Sequence, residues 1–278
     1  MSAIGAAAKE IPFKELCRVP MFLCGVLAQV LVFGGVAFGQ PTLALHLASY
    51  EGFTNFWIGM YFAMPAVAYI VNTLCVASYC KVLSRRGVIF VGLALFSMGL
   101  YLAGTSPMLG VKDSPSIILT GLMLVGFSAA MITIPLVPEV IHSIEHKLPD
   151  LAGEELNNVV SGYFNSSIGI GEALGPITSG MLVATLGFRK SNDVVGTLFI
   201  IFTLLFFVVN GNFSLLVPSS SATPEDADDN FFKYKDFESA GPASSTRSTM
   251  VETTRSTLVE TDLGIIHTKA DSEAGDNH

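Results

Sequence analysis

The sequence predicts an all-α, polytopic membrane protein with six transmembrane helices and a disordered carboxy-terminal tail. Hydrophobic residues make up 51% of the 278 residues and charged residues only 14%, and the mean hydropathy is +0.57. A soluble domain carries roughly 25% charged residues. In addition, six uncharged apolar runs each approach the length of about 20 residues that a helix needs to cross the hydrocarbon core of a bilayer. The charged residues are most concentrated in the tail that follows the sixth run.

The six apolar runs define a membrane domain that we place at residues 20–217. They lie at 20–40, 56–80, 88–108, 115–138, 158–186 and 194–217. Only a helix satisfies all of its backbone hydrogen bonds within one segment inside lipid, so each run is predicted to be a transmembrane helix. Residues 1–19 are predicted to form an N-terminal segment outside the bilayer.

The tail at residues 218–278 has a different composition. Residues 219–278 hold 12 of the 23 acidic residues and 5 of the 15 basic ones, which gives a net charge of −7. Apolar residues are too few there to offset chain entropy, so disorder is predicted. The tail also contains a tandem repeat, TRSTMVET at 246–253 followed by TRSTLVET at 254–261.

The basic residues between the runs predict the orientation. Cytoplasmic connections are enriched in Lys and Arg. Seven basic residues flank one side and three flank the other; they are Lys9, Lys14, Arg18, Lys81, Arg85, Arg86 and Lys147 against Lys112, Arg189 and Lys190. Both termini are therefore predicted to be cytoplasmic, and the sequence does not distinguish a plasma membrane from a vesicular one.

The runs differ in polarity. The third and the sixth are almost purely aliphatic and aromatic, which predicts that they face lipid. The first carries Gln29 and Gln40, and the second carries Tyr61 and Asn72, each pair at helical spacing. We predict that these four side chains line a cavity. The alternative is that they only bond a neighbouring helix, a common arrangement for polar residues in membrane helices.

The fifth run contains one acidic residue. In SGYFNSSIGIGEALGPITSG, at 161–180, Glu172 shares a predicted face with Asn165, Ser161 and Ser179. A charged carboxylate in a bilayer costs several kcal/mol, and acids in such positions usually mark ion or proton pathways. Glu172 and Asn165 are therefore candidates for proton coupling or substrate binding. The alternative for Glu172 is a permanently neutral acid that is hydrogen-bonded to a neighbouring backbone.

Small residues recur every four positions in the same run, at Ser167, Gly171, Gly175 and Ser179. This spacing favours close helix packing. Pro176 interrupts a backbone hydrogen bond and bends a helix. We assign Gly171, Gly175, Pro176 and Gly180 a role in helix packing or as a hinge.

No pattern in the sequence indicates an enzyme. There is no HExxH, GxSxG or Walker loop, so no catalytic residue, cofactor or nucleic-acid partner is predicted. His142 and His146 are four residues apart near Glu139 and Glu145, a spacing that a metal site could use. Solvated residues in a connection explain them better, and no metal site is predicted.

Three stretches resemble one family. GEALGPITSG at 171–180 resembles the G-x-x-x-G-P-x-x-G-G motif of the drug and amine exporters in the major facilitator superfamily. FGQPTLALHL at 38–47 and WIGMYFAMPAVAYIVNT at 57–73 resemble the seventh and eighth helices of the same group. The chain is therefore similar to the carboxy-terminal half of this fold, and most similar to its vesicular amine and polyamine transporters.

The resemblance implies proton-coupled exchange of a small solute by alternating access. It also assigns Arg85 and Arg86 to a gating loop, in which Cys80 takes the place of the family's acidic residue. Asn165 stands where the monoamine branch carries an aspartate, and Glu172 matches a glutamate of the polyamine-like branch. The superfamily has twelve spans, so its amino-terminal half has no counterpart in this chain.

Three interpretations follow from these features. The first is a transport protein for a small organic cation, an amine or polyamine, that works against protons in the lipid bilayer as a homodimer or with a complementary half-transporter. The second is a truncated, non-transporting paralogue that acts as an interaction or regulatory subunit. The third is an incomplete gene model.

Overall fold

The computed structural model describes residues 13–110, 112–149 and 153–210, and these ranges are helical with short connections. A short helix α1 and six long helices follow each other; the bounds are α1 Phe13–Leu16, α2 Pro20–Ala48, α3 Asn55–Val82, α4 Arg85–Ala103, α5 Pro115–Lys147, α6 Glu154–Leu186 and α7 Phe188–Asn210. Within these described ranges six helices are long and apolar enough to cross a membrane, which confirms the predicted fold class. The contacts divide the chain into Met1–Ala222 and Thr223–His278, and the predicted tail and residues 211–217 lie outside the described residues.

The helix bounds differ from the apolar runs where charge or turn geometry intervenes. The helix α5 continues nine residues beyond its run, to Lys147. A helix can continue after it leaves the hydrocarbon, because its polar side chains are then solvated. The helix α4 starts earlier than its run, at Arg85, because the Ser84 hydroxyl accepts a hydrogen bond from the backbone N–H of Gly87. It also ends earlier, before Thr105, which has a φ of 45°.

Consecutive long helices run in opposite directions. The chain therefore brings the starts of α2, α4 and α6 to one end of the bundle, which we call end I. The starts of α3, α5 and α7 lie at the other end, which we call end II. Six of the seven basic residues that predicted the cytoplasmic side lie at end I, and the seventh, Lys9, lies outside the described residues.

The helix α5 lies at the centre and packs against α4, α3, α2 and α6. Glycines allow two of these contacts. A Cβ atom at Gly121 would collide with the backbone of Ala103 in α4, and one at Gly126 would collide with the backbone of Pro65 in α3. Small residues at crossings of this kind let membrane helices approach closely.

One face of the helix α4 is buried in the protein. Ile89, Leu93 and Phe96 are fully buried, and the Phe96 ring stacks on that of Phe199 in α7 with centroids 4.6 Å apart. The prediction that this aliphatic span faces lipid is therefore wrong for the buried face of α4, whereas Ala94 and Met98 are exposed on the other face. An aliphatic surface suits lipid and a protein core equally well, so polarity alone could not separate the two.

The helices α3 and α6 are the least enclosed of the six. Only 17% of the most apolar stretch of each is buried, against 56% for α4. The helix α3 packs mainly on α5, and α6 packs mainly on α2. The polar residues of these spans therefore do not all turn toward one shared interior of this bundle.

Candidate functional site

One face of α6 packs tightly against α2 through small residues. A Cβ atom at Gly171 would lie 2.5 Å from the carbonyl oxygen of Val30, and one at Gly175 would lie 2.6 Å from that of Gly34. Further along the same contact, the buried hydroxyls of Ser179 and Thr42 are hydrogen-bonded at 3.1 Å. Two backbones can approach this closely only where side chains are absent or small.

The surface of α6 beside this contact is open. Asn165 and Glu172 are exposed, whereas Ser161 and Ser179, predicted to share their face, are buried. Pro176 is half-buried, and a Cβ atom at Gly180 would meet nothing within 4 Å. Glu172 thus lies at the boundary between the packed and the open surface of α6.

Glu172 has no hydrogen bond or ion pair with any residue that the structure describes. It lies near the middle of α6, a helix long enough to span the bilayer. An unpaired carboxylate at that depth is not stable against lipid, and intramembrane acids almost always face a protein interior or a water-filled cavity. A carboxylate on the open surface of α6 therefore needs a partner or water that the described residues do not supply.

The four predicted cavity residues occupy different surroundings. Gln29 is buried, and its Oε1 atom has no partner among the described residues. Asn72 is fully buried and donates a hydrogen bond of 2.7 Å from Nδ2 to the carbonyl oxygen of Phe127, which is the interhelical bond weighed as the alternative. Tyr61 is buried in an apolar cluster at end II, and Gln40 is exposed.

At end I, an ion pair joins α4 to α5. Arg86 Nε donates to Glu139 Oε1 at 2.5 Å, and Arg86 Nη2 donates to the Ser143 hydroxyl at 3.2 Å. Glu139 is buried, so its charge is stabilised there by Arg86. Arg85 and Cys80 are both half-buried nearby in sequence, and the Cys80 thiol is free.

Sequence reasoning missed this role of Glu139 and considered the residue only beside His142. The available signal was a single acidic residue at the end of an apolar run, on a helix that lies next to the one bearing Arg86.

At end II, Asp113 collects three hydrogen bonds. The Tyr50 hydroxyl donates to Oδ1, the Thr105 hydroxyl donates to it at 3.1 Å, and His46 Nε2 lies 3.2 Å from it. Burial acts to raise the pKa of the Asp113 carboxyl, but these hydrogen bonds outweigh burial and hold that pKa below its usual value. Burial, followed by the bond to Asp113, raises the pKa of the Tyr50 hydroxyl.

This cluster connects three elements. The His46 ring stacks on that of Phe188, at the start of α7, with centroids 4.3 Å apart. Arg189 donates from Nε and Nη2 to the carbonyl oxygen of Thr105 at 2.9 Å and 2.6 Å. The end of α2, the segment after α4 and the start of α7 are therefore tied together at end II, as α4 and α5 are at end I.

Comparisons with known proteins relate the chain to one class. No family model matches it. It is 28% identical over 192 residues to the human protein named MFS-type transporter SLC18B1. The matched region is 67% of this chain and 41% of the human protein. The mouse and rat proteins of the same name are 26% and 27% identical and cover 66% of this chain, with 40% and 41% of the relatives. The chain is thus similar to proteins named MFS-type transporters and spans about two fifths of the length of the relatives it matches.

Proposed function

We propose that the chain forms one six-helix part of a transport protein. In this proposal it moves a small organic cation, an amine or polyamine, across a membrane in exchange for protons by alternating access. The observation that carries the proposal is the unpaired carboxylate of Glu172 on the open surface of α6. A titratable acid at that depth can bind a cation and a proton in turn, which is the requirement for exchange.

The surroundings of Glu172 support a role in a moving interface. The open surface of α6 carries both polar and large apolar side chains, with Ile170, Leu174, Ile177 and Met181 all exposed. Because lipid does not suit Glu172, we propose that a second six-helix unit covers this surface, either another copy of this chain or a complementary half-transporter. The substrate then passes between the two units, and Asn165 lies on the same wall.

The ion pair at end I and the Asp113 cluster at end II support alternating access. Each holds helices together at one end of the bundle. When a six-helix unit tilts, each set of bonds must either persist or be replaced by bonds to other residues. Arg86 has the role of a gating residue in this proposal, with Glu139 as its partner.

The proposal is tested by transport in proteoliposomes that contain the full chain. Uptake of labelled spermidine is measured with and without a pH gradient, for the wild type and for Glu172→Gln. We expect the gradient to drive uptake and the substitution to reduce it by about 100-fold, because an amide cannot carry a proton. Light scattering of the purified particle in detergent gives the number of chains.

The matched control is Glu51→Gln, which removes an exposed carboxylate from the connection between α2 and α3. It should leave gradient-driven uptake unchanged. Uptake that ignores the gradient, or that survives Glu172→Gln at the wild-type rate, would contradict proton coupling through this residue.

A second candidate function is a non-transporting subunit that regulates or recruits another membrane protein. The large apolar side chains exposed on α6 favour it, since they offer a surface that a membrane partner can cover; they are Ile170, Leu174, Ile177 and Met181. In that case the α6 surface would bind an unrelated membrane partner. Purification of the full chain with its partners from its own membrane distinguishes the candidates, since the first predicts a second copy or another transporter half.

A further inference from the structure

A cavity of about 270 Å³ opens at end I, between the start of α2, the start of α4 and the ends of α5 and α7. We propose that this basic cavity binds a phosphate monoester group, presented by the headgroup of an anionic lipid or by a soluble phosphate compound. The cavity is separate from the open surface of α6, and the inference does not depend on transport.

The polar side chains of the basic cavity can all donate hydrogen bonds. They are Arg86, His142, Ser143, His146, Lys147 and Asn210, and no carboxylate is among the lining residues that the structure describes. Arg86 is already paired with Glu139, so the uncompensated charge is that of Lys147, with the two histidines adding to it when protonated. A lining whose polar side chains can all donate and whose net charge is positive favours an anion.

Two buried side chains at the floor of the basic cavity have unused donors. The Ser143 hydroxyl accepts a bond from Arg86, which leaves its own O–H free to donate. Asn210 is 8% exposed, and its Nδ2 atom has no hydrogen-bond partner beyond a weak interaction with the thiol of Cys24. A buried amide donor without a partner is unfavourable, and an anion in the cavity would satisfy it.

The rim of the basic cavity suits a lipid. Val208 and Val209 are exposed on the last turn of α7 and line the cavity beside the basic side chains. A headgroup phosphate held by Lys147 and Asn210 leaves its acyl chains free to run along this apolar surface. Basic pockets between transmembrane helices are known to bind lipid headgroups in this way.

The test uses the full chain in detergent and short-chain phosphatidylinositol 4-phosphate, with zwitterionic phosphatidylcholine as the reference lipid. Native mass spectrometry counts the bound lipid. We expect the phosphoinositide to be retained in preference to phosphatidylcholine, with Lys147→Gln weakening retention about fivefold. Asn210→Asp preserves the side-chain shape and places a negative charge at the floor, so it should abolish the preference.

Lys190→Gln is the control, since Lys190 is an exposed basic residue at end II. It should bind the phosphoinositide as the wild type does. Inorganic phosphate is added as a competitor. Displacement of the lipid by millimolar phosphate means that a soluble phosphate compound is enough to fill the cavity. Retention of the lipid means that the ligand is a lipid headgroup. Equal retention of both lipids by the wild type, or equal weakening by Lys147→Gln and Lys190→Gln, overturns the proposal.

Discussion

The helices α4 and α6 show opposite relations between composition and surroundings. The helix α4 is almost wholly aliphatic and buries one face against α5 and α7, while α6 carries Glu172 on an open surface. Lipid tails are as apolar as leucine, so hydrophobicity does not drive one membrane helix toward another. The shape of the helix surface decides which helices pack together. Glycines allow α4 and α5 to approach closely, and they allow α6 to approach α2 on one side of α6 only. A span's neighbours therefore follow from its small residues more than from its hydropathy.

The largest expected effect comes from the same substitution at a closed and at an open glycine. Gly121→Ala places a Cβ atom into the backbone of α4, whereas Gly180→Ala projects from α6 into open space. We expect Gly121→Ala to lower the free energy of unfolding by about 2–3 kcal/mol. Gly180→Ala should be neutral or raise it by up to about 1 kcal/mol, because alanine is the better helix former.

Both variants are measured by unfolding of the purified protein in detergent micelles. If they unfold alike, α4 and α5 do not cross as closely as described.

A smaller effect comes from removing one charge from each of the two helices. Arg86→Gln in α4 leaves Glu139 buried without its ionic partner, while Glu172→Gln in α6 removes a carboxylate that bonds to none of the described residues. The first should destabilise by about 1–2 kcal/mol, a reduced value because the Arg86 side chain is 39% exposed. The second should not lower stability.

The same unfolding assay compares the two, with the double variant Arg86→Gln/Glu139→Gln to isolate the pair. A stability loss on Glu172→Gln would reveal a structural partner for that carboxylate and would weaken its assignment to transport.

The smallest effect distinguishes the two sides of α6 itself. Ser179→Ala removes a hydroxyl that is bonded across the helix contact to Thr42, whereas the Ser166 hydroxyl bonds only to the Gly162 carbonyl oxygen of its own helix. Interhelical bonds of this kind contribute about 0.6 kcal/mol on average. Ser179→Ala should therefore lower the free energy of unfolding by about that amount, and Ser166→Ala by less. Equal losses would show that the contact between α2 and α6 is no tighter than the open side.

Parts of the fold and of the candidate site could be predicted because they depend on neighbours along the chain. The six spans follow from uncharged runs of bilayer length, and the fold class was confirmed. The four-residue spacing of Gly171 and Gly175 predicted a close contact, and both glycines lie against α2. The cavity roles of Gln29, Gln40, Tyr61 and Asn165 stay predictions.

Other features could not be predicted, because they join residues far apart in the chain. Glu139 meets Arg86 across 53 positions, and Asp113 meets His46 across 67. Nothing in the local pattern around these residues names the partner.

The sequence by itself determined that the chain spans a membrane, where each span lies, and that Glu172 is an acid without charged neighbours in the fifth span. Hydropathy and spacing are local properties, so a bilayer-length run carries this information without reference to any other run. The tertiary structure decided which spans are enclosed, because α3 and α4 are nearly equal in hydropathy, yet 17% of the most apolar stretch of α3 and 56% of that of α4 are buried. It also decided that the carboxylate of Glu172 faces outward from this bundle. The small residues of α6 pack against α2, and Glu172 lies beside that packed side of the helix.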